Sequence, residues 1–413
     1  NRLEAMTDAL ENTTYFGYDP NGNRTSMKDA RGNVTAFGYD PLNRLTSITD
    51  ALSQSEYYGY DENGNLLSEK HADLQVIYFA YDQLNRQTQI RYPDETNDFA
   101  YDPASNLESM TDPHGATYFG YDPLNRLISE KSPSGDFTHW QFDAASRRTQ
   151  ISIQEGGTGG YGKQSYGPSA YGGGPGAAAA TYYGYDRAGR MTTATDLTGQ
   201  AQTYYQFDEN GNLTRKQLGN GVYTERAYDQ ANRLISLHTR KSDGSTLTYF
   251  GYDHDDAGRI VGIKREDGIN IYYTYDNDDR LTGERWLDAA NAELYGFNWD
   301  YDAVGNRSYQ RFGTEQTYYS YNDANELEYT HEISADVWSY YSYDPNGNLT
   351  LMDEPAGLTY FEYTPANLVS AIRYPSGICN YFHYDAMLRR YAIEDSDGLR
   401  YLTWDANGMN LLM

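Results

Sequence analysis

The strongest constraint on the fold is a short motif, an aromatic residue followed by an acid, that recurs along almost the whole chain. Most neighbouring copies lie 20 to 24 residues apart, with 26 between 275 and 301 and 43 between 142 and 185. Such a period is typical of a repeat architecture rather than of several unrelated domains. The motif is Tyr-Asp at Tyr18, Tyr39, Tyr60, Tyr81, Tyr101, Tyr121, Tyr185, Tyr228, Tyr252, Tyr275, Tyr301, Tyr343 and Tyr384. Degenerate copies begin at Phe142, Phe207, Tyr321, Tyr363 and Trp404, so 13 plus 5 gives 18 units.

One unit, residues 49–70, reads TDALSQSEYYGYDENGNLLSEK. In SEYYGYD the period of two places Tyr58 and Tyr60 on one face of a strand and Tyr57 and Gly59 on the other. DENGN follows, and its Asn-Gly suits the positive φ of a tight hairpin turn. Each unit therefore predicts two short antiparallel strands and two turns, and 18 units predict 36 strands.

The second strand of a unit does not alternate strictly. In RLTSITD (44–50), Leu45 and Ile48 are three residues apart, which a regular strand cannot place on one face. A β-bulge or burial on both faces would each explain this spacing, and the sequence leaves both open.

The fold class predicted is all-β: tandem β-hairpin repeats forming a curved, spiralling antiparallel sheet, either a partial hollow shell or a band. Helix signals are nearly absent, and LDAANAELY (287–295) is interpreted as an expanded turn or one short helical turn. The predicted organisation is a first repeat region at 1–154, a Gly/Ala/Tyr-rich insert at 155–180 and a second repeat region at 181–413. The insert is expected to be a flexible excursion, with a tether or docking site as the alternative.

Composition excludes several classes of function. A formal net charge of −27 argues against binding to nucleic acid or to anionic membranes. The 44 Tyr supply much of the apolar surface, as rings that carry a polar tip. A structural wall of stacked Tyr side chains is the favoured interpretation, and a sticky aromatic surface for glycans or a partner chain is the alternative. The single Cys379 allows no intrachain disulfide, and no apolar run reaches the roughly 18 residues that span a bilayer.

No catalytic, cofactor-binding or metal-ligating residue is predicted. The turns DxNGN at Asp19–Asn23, Asp61–Asn65, Asp208–Asn212 and Asp344–Asn348 suggest calcium, but Gly stands fourth rather than sixth and local hydrogen bonding accounts for these residues. The 59 acids are too common to nominate a glycosidase pair. Cys379 is expected to be a packed residue rather than a nucleophile, and His254, the most acid-surrounded histidine, to lie in a solvated turn. The seven histidines show no metal-site spacing: His71, His114, His139, His238, His254, His331 and His383.

The repeated turn motif resembles the YD-repeat (Rhs) family. The resemblance implies a β-hairpin ribbon that spirals into a hollow shell, as in Rhs polymorphic toxins, Tc toxin cocoon subunits, wall-associated proteins and teneurins. Toxin members end the array with a segment resembling R-Y-Y-D-P-x-x-G-R-F, which this sequence lacks, so no catalytic residue is carried over. The matching segments are GYDPNGNR (17–24), GYDPLNRL (38–45 and 120–127), GYDENGNL (59–66), AYDQLNRQ (80–87), GYDRAGRM (184–191) and AYDQANRL (227–234).

These observations predict a non-catalytic structural shell of a secreted or cell-surface bacterial protein, which encloses or displays another polypeptide in toxin delivery or contact-dependent competition. The alternatives are an extracellular adhesion or self-assembling module, and a glycan-binding or glycan-cleaving protein. Expected partners are an enclosed or attached polypeptide, further copies of the chain through open ribbon ends, and surface glycans. Both ends of the sequence fall inside a unit, which favours a piece of a longer array.

Overall fold

The computed structural model describes residues 2–154, 179–196 and 202–402, and every regular element in these ranges is a β-strand. The described residues form two compact units, one of 2–117 with 299–402 and one of 118–154, 179–196 and 202–298. No helix long and apolar enough to cross a membrane occurs in these ranges. The predicted all-β fold class, and the number of 36 strands, are confirmed.

Within each continuous described range, consecutive strands are joined by short turns. The first eleven are β1 Ala5–Thr7, β2 Thr13–Tyr18, β3 Arg24–Lys28, β4 Val34–Tyr39, β5 Leu45–Thr49, β6 Ser55–Tyr60, β7 Leu66–Lys70, β8 Val76–Tyr81, β9 Gln87–Arg91, β10 Thr96–Tyr101 and β11 Leu107–Asp112. The next fourteen are β12 Gly115–Tyr121, β13 Leu127–Lys131, β14 Phe137–Phe142, β15 Arg148–Gln154, β16 Ala179–Tyr185, β17 Met191–Asp196, β18 Gln202–Phe207, β19 Leu213–Gln217, β20 Tyr223–Tyr228, β21 Leu234–Arg240, β22 Thr246–His254, β23 Ile260–Arg265, β24 Asn270–Tyr275 and β25 Leu281–Leu287. The last eleven are β26 Glu293–Tyr301, β27 Arg307–Phe312, β28 Glu315–Tyr321, β29 Leu327–Glu332, β30 Val337–Tyr343, β31 Leu349–Glu354, β32 Gly357–Tyr363, β33 Val369–Arg373, β34 Cys379–Tyr384, β35 Arg390–Asp395 and β36 Gly398–Tyr401.

In most described repeats the YD tyrosine ends the first strand of a hairpin and the acid begins its turn; at the Tyr252 copy the strand continues to His254 and the turn begins at Asp255. In the β6–β7 hairpin, Gly59 pairs with Ser68 but Tyr60 pairs with Leu66, so Leu67 is an extra residue. The same register shift recurs at Tyr18, Tyr39 and Tyr81, in the hairpins β2–β3, β4–β5 and β8–β9. The YD hairpin therefore carries a β-bulge directly after its turn.

The bulge resolves the irregular spacing of Leu45 and Ile48. Leu45 pairs with Tyr39, and Ile48 pairs with Phe37. Because Phe37 and Tyr39 are two residues apart on one strand, they share a face, and their partners share it too. The bulge alternative is confirmed.

A hairpin turn follows the YD motif, as Asn-Gly predicts, but only one of these two residues has positive φ. In Asp61–Asn65, the Asp61 amide donates to the Asn65 carbonyl at 3.0 Å and the Gly64 amide donates to the Asp61 carbonyl at 3.2 Å. Only Gly64 has positive φ, at 91°; Asn63 does not. This is a three-residue loop, a type I turn followed by one left-handed residue. Asn also tolerates that conformation, as at Asn43 with φ 62°, which explains why the motif alternates Gly and Asn there.

The core is thin, as expected of a single antiparallel layer. Ten apolar side chains are buried in the described part of the chain, among them Ile77, Met110, Trp140 and Ile151. Trp140 pairs with Ile151, and Met110 pairs with Phe99. These residues lie on the face of Tyr58 and Tyr60, which is therefore the better covered face.

Two local predictions need correction or restriction. Residues 287–295 form neither a helical nor an expanded turn: Asp288 to Ala292 form the ordinary five-residue turn, and the wide spacing comes from the long strands β25 and β26, of 7 and 9 residues. The insert falls on 155–178, outside the described residues, and Ala179 and Ala180 already belong to β16. Strands β15 and β16 pair directly, with Ile151 opposite Thr181, so the insert stands where other repeats have a short turn.

Candidate functional site

In many repeats the tyrosine of the YD motif connects its hairpin to the preceding one. The backbone ladder between β19 and β20 ends at Arg215–Glu225, and beyond it the Tyr228 hydroxyl donates to the Leu213 carbonyl at 3.0 Å. Leu213 is the first residue after the preceding YD turn, so the bond lies at the bulge, where the two hairpins are no longer joined by the backbone. A phenylalanine could not make this bond, which explains why Tyr predominates at this position. Equivalent bonds join Tyr18 to Leu3, Tyr101 to Gln87, Tyr185 to Arg148, Tyr275 to Ile260, Tyr321 to Arg307, Tyr363 to Leu349 and Tyr384 to Val369.

The acid of the motif holds its own turn. Asp40 Oδ1 accepts the Arg44 amide at 2.9 Å, and its Oδ2 accepts Arg44 Nε at 2.6 Å. These bonds, led by the Arg44 amide, lower the pKa of Asp40. In Asp61, Oδ1 accepts the Asn65 amide and Oδ2 accepts the Asn65 side chain, both at 2.8 Å. Both carboxylate oxygens are therefore engaged within the turn, in the Arg and in the Asn form of the motif.

The last residue of the turn reaches the next turn along the chain. Arg44 Nη1 donates to the Asp61 carbonyl at 2.6 Å, and its guanidinium lies 4.8 Å from the centre of the Tyr60 ring. Where this residue is Asn, it bonds instead to the left-handed Asn of the next turn. Such Asn pairs are Asn23–Asn43, Asn65–Asn85, Asn212–Asn232, Asn306–Asn325 and Asn348–Asn367. The variable [NR] position of the motif thus specifies contacts between neighbouring repeats.

In the first unit, early and late segments of the chain also contact each other. Arg31, in the turn between β3 and β4, donates to the Asn322 carbonyl at 3.2 Å, to Asn325 Oδ1 at 2.9 Å and to the Tyr321 carbonyl at 3.0 Å. The Asn322 carbonyl corresponds to the acceptor that Arg44 uses in the Asp61 turn. The preceding turn ends in Asn306 rather than Arg, so Arg31 contributes from a distant segment the guanidinium that the local sequence lacks. Nothing in the motif of Arg31 itself predicts this contact, which spans 291 residues.

The opposite face of the hairpins carries exposed tyrosines, three residues before the YD tyrosine. Tyr57 is 50% exposed and pairs with Lys70, and Tyr78 pairs with Arg91, whose guanidinium lies 4.6 Å from the ring centre. Cationic partners on this face are notable in a chain of net charge −27. The exposed set is Tyr15, Tyr57, Tyr78, Tyr118, Tyr182, Tyr204, Tyr272, Tyr318, Tyr340, Tyr360 and Tyr381.

On β27–β30 this face widens into an aromatic platform, formed by Tyr309, Tyr318, Tyr329, His331, Trp338 and Tyr340. The His331 and Trp338 rings stack at 3.8 Å between centroids and 13° between planes, and Trp338 is nearly parallel to Tyr340. Trp338 and Tyr340 are 40% and 50% exposed. Tyr309 and Tyr329 occupy the position of Ser47 and Ser68 in other repeats, where the small side chain faces the motif glycine. This departure from the repeat was the available sequence signal for the platform.

The other residues considered from the sequence lie apart from one another, except for two histidines. Cys379 is a free thiol of intermediate exposure opposite Arg373, and His254 ends β22, paired with Ile260 rather than in a turn. His71 is buried against Glu69, with Nε2 3.5 Å from Oε1. His114 and His383 line one cavity in the first unit. Within the described ranges, no group of three or more His, Cys, Asp or Glu has a metal-binding arrangement.

Two family models match the sequence of this chain. The RHS Repeat model matches residues 1–34, 18–55, 39–76 and 121–158, and the Teneurin YD-shell model matches residues 174–372. The chain belongs to the YD-repeat (Rhs) family. The resemblance stated from the turn motifs is thereby confirmed, and the family's YD-shell assignment supports a structural role. Comparison with curated proteins gives no match.

Solved structures of the same fold are distant in sequence. A Tc holotoxin pore from Photorhabdus luminescens is 13% identical, with a TM-score of 0.57, over 95% of this chain and 24% of that one. The crystal structure of TcdB2–TccC3 is 14% identical, with a TM-score of 0.53, over 97% of this chain and 27% of that one. The chain thus spans about a quarter of the length of these neighbours.

Proposed function

We propose that this YD-repeat chain is a non-catalytic wall segment of a shell that encloses or displays another polypeptide, as part of a secreted or cell-surface protein. The observation that carries the proposal is the use of the motif residues. The polar groups of Tyr228, Asp40 and Arg44 are engaged in hydrogen bonds that hold a turn or join neighbouring hairpins. A motif repeated for chemistry would instead leave a nucleophile, acid or base unengaged.

The family assignment and the fold of the Tc holotoxin neighbour support this proposal. We propose that the enclosed polypeptide acts in toxin delivery or in contact-dependent competition. A pure sheet wall suits enclosure because each hairpin is bonded to the next through backbone, tyrosine and turn contacts. Its strength then comes from many equivalent contacts rather than from a thick core.

Protease protection tests the proposal. The natural full-length protein is digested with a broad-specificity protease before and after mild denaturation, and its fragments are identified by mass spectrometry. We expect a segment outside the repeat region to be protected in the native protein and to be cleaved once the repeats unfold. A segment cleaved equally fast in both states would contradict enclosure.

The aromatic platform favours a second candidate, glycan binding at an exposed surface. Stacked, solvent-facing Trp338 and Tyr340 are suited to the apolar faces of sugar rings, and His331, 3.0 Å from Asp336 Oδ1, adds a polar contact. A glycan array tests this: Trp338→Ala should abolish any signal, whereas Tyr360→Ala, an exposed tyrosine outside the platform, should retain it. Binding unchanged by Trp338→Ala would exclude the platform as the site.

A further inference from the structure

A cavity of about 170 Å³ lies in the first unit between β9–β12 and β32–β35, where an early and a late segment of the chain come together. Its lining includes the apolar residues Leu368, Phe382 and Leu388, together with polar residues among which are Glu95, Asn97, His114, His383 and Asp385. For comparison, an apolar cavity of about 150 Å³ holds a benzene molecule, so this one has room for about six heavy atoms.

Asn97 is the least expected residue in the cavity. It is only 2% exposed, and its Oδ1 accepts no hydrogen bond. In neighbouring repeats the same position, four residues before the YD tyrosine, holds Ile77 and Thr117, which are also buried. A buried acceptor without a donor is destabilising, so an amide here indicates a missing partner.

Two further polar groups line the cavity. His383 Nε2 is buried without a hydrogen bond, although Glu394 Oε2 lies 3.8 Å away. Glu95 follows Tyr92 in the turn before β10, and burial raises the pKa of its carboxyl group. The charged groups that act on Glu95 are Asp94, His114 and Asp112, with no Lys or Arg among them. The lining thus presents the Asn97 acceptor and two carboxylates, of which Asp385 is already paired with Arg389, and it includes no Lys or Arg.

We propose that this cavity binds a small primary alkylammonium ion. Its N–H donors match Asn97 Oδ1 and the Glu95 carboxylate, and a short alkyl chain contacts Leu368, Phe382 and Leu388. A bare metal ion suits the site less well, because half of the lining is apolar and no metal-binding group of His, Cys, Asp or Glu is found in the described part of the chain. Since the lining comes from both segments, an occupied site holds them together.

The test uses n-butylammonium chloride as the ligand, with sodium chloride and 1-butanol as controls, by isothermal titration calorimetry and thermal unfolding of the whole chain. We expect saturable binding of butylammonium with a rise in Tm, and no comparable effect of either control. Asn97→Thr installs the residue found at this position in several other repeats, so it should fold while binding at least tenfold more weakly. Glu95→Gln should weaken binding similarly, and Thr359→Val, at the matching position of β32 outside the cavity, should leave it unchanged.

Three results would overturn the proposal. Absence of a butylammonium effect beyond that of sodium chloride would mean that the cavity holds water only. Equal binding of 1-butanol would show that the acceptors do not select a cation. Unchanged affinity in a folded Asn97→Thr variant would place the binding elsewhere.

Discussion

Removing two YD tyrosine hydroxyls from the second compact unit measures how much the hydrogen bonds between hairpins contribute to stability. Tyr185 donates to the Arg148 carbonyl at 2.6 Å, and Tyr275 donates to the Ile260 carbonyl at 2.7 Å. A typical hydrogen bond contributes about 0.5–1.5 kcal/mol net, so each Tyr→Phe change should lower the free energy of unfolding by that amount. Strands β16 and β24 are eight strands apart, roughly 38 Å along the sheet at about 4.8 Å per strand, so the two effects should add. The double variant should lose about 1–3 kcal/mol.

The matched control removes two other tyrosine hydroxyls from the same two strands, β16 and β24. Tyr182 and Tyr272 lie on the opposite face, 43% and 42% exposed, and neither side-chain hydroxyl makes a hydrogen bond within the described ranges. Their double Tyr→Phe variant should change stability by no more than about 0.5 kcal/mol per site.

Urea and thermal unfolding followed by circular dichroism compare the two variants. At about 2–4 °C per kcal/mol for a unit of this size, the YD variant should lose about 2–12 °C in Tm. Equal effects of the two double variants, or no effect of the YD variant, would refute the idea that these hydroxyls join the hairpins.

Four further outcomes follow from the same contacts. Phe207→Tyr should raise stability by up to about 1 kcal/mol in urea unfolding by supplying the donor that its hairpin lacks, and a loss would contradict the register of the link. Arg31→Gln should cost about 1–3 kcal/mol of first-unit stability, whereas Lys28→Gln, exposed on the same hairpin, should be nearly neutral in the same assay. The hydrogen bond with Glu69 raises the pKa of His71, so this residue stabilises the fold below the ordinary histidine pKa of about 6.5 and loses that effect as pH rises through its folded-state pKa. His71→Gln should therefore lower the free energy of unfolding more at about pH 5.5 than at about pH 8.5. Equal losses at the two pH values would exclude the effect. The turn hydrogen bonds lower the pKa of Asp40, Asp61 and Asp82, so the stabilisation by these carboxylates is present above about pH 4 and is lost as pH falls through their lowered folded-state pKa values. The strand signal in circular dichroism should persist at about pH 4 and decline below it. A loss of signal that begins above about pH 5 would contradict this expectation.

The sequence predicted what depends on neighbouring residues. The period of the YD motif located the hairpins, and the spacing of Leu45 and Ile48 indicated a bulge that the register confirms. The Asn-Gly pair predicts the hairpin turn in the right place, and its glycine takes the expected positive φ, whereas its asparagine does not.

Contacts between distant segments were beyond the sequence pattern. Arg31 lies in an ordinary turn sequence, DARGN, and its acceptors at Tyr321 and Asn322 are determined by how the late segment lies against the early one. A periodic motif specifies each hairpin and its neighbours, but not which repeats meet after many strands. The platform and the cavity were missed for a related reason: both arise where residues such as Tyr329 and Asn97 depart from the repeat, and a consensus hides such departures.

The central claim is that this chain forms the wall of an enclosure rather than a solid catalytic domain. Electron microscopy of the natural full-length protein tests it most directly. We expect a one-layer β wall, about 10 Å thick including the side chains on both faces, around a space that holds other polypeptide or solvent. A compact particle without an internal space, its sheet packed against a second layer, would contradict it.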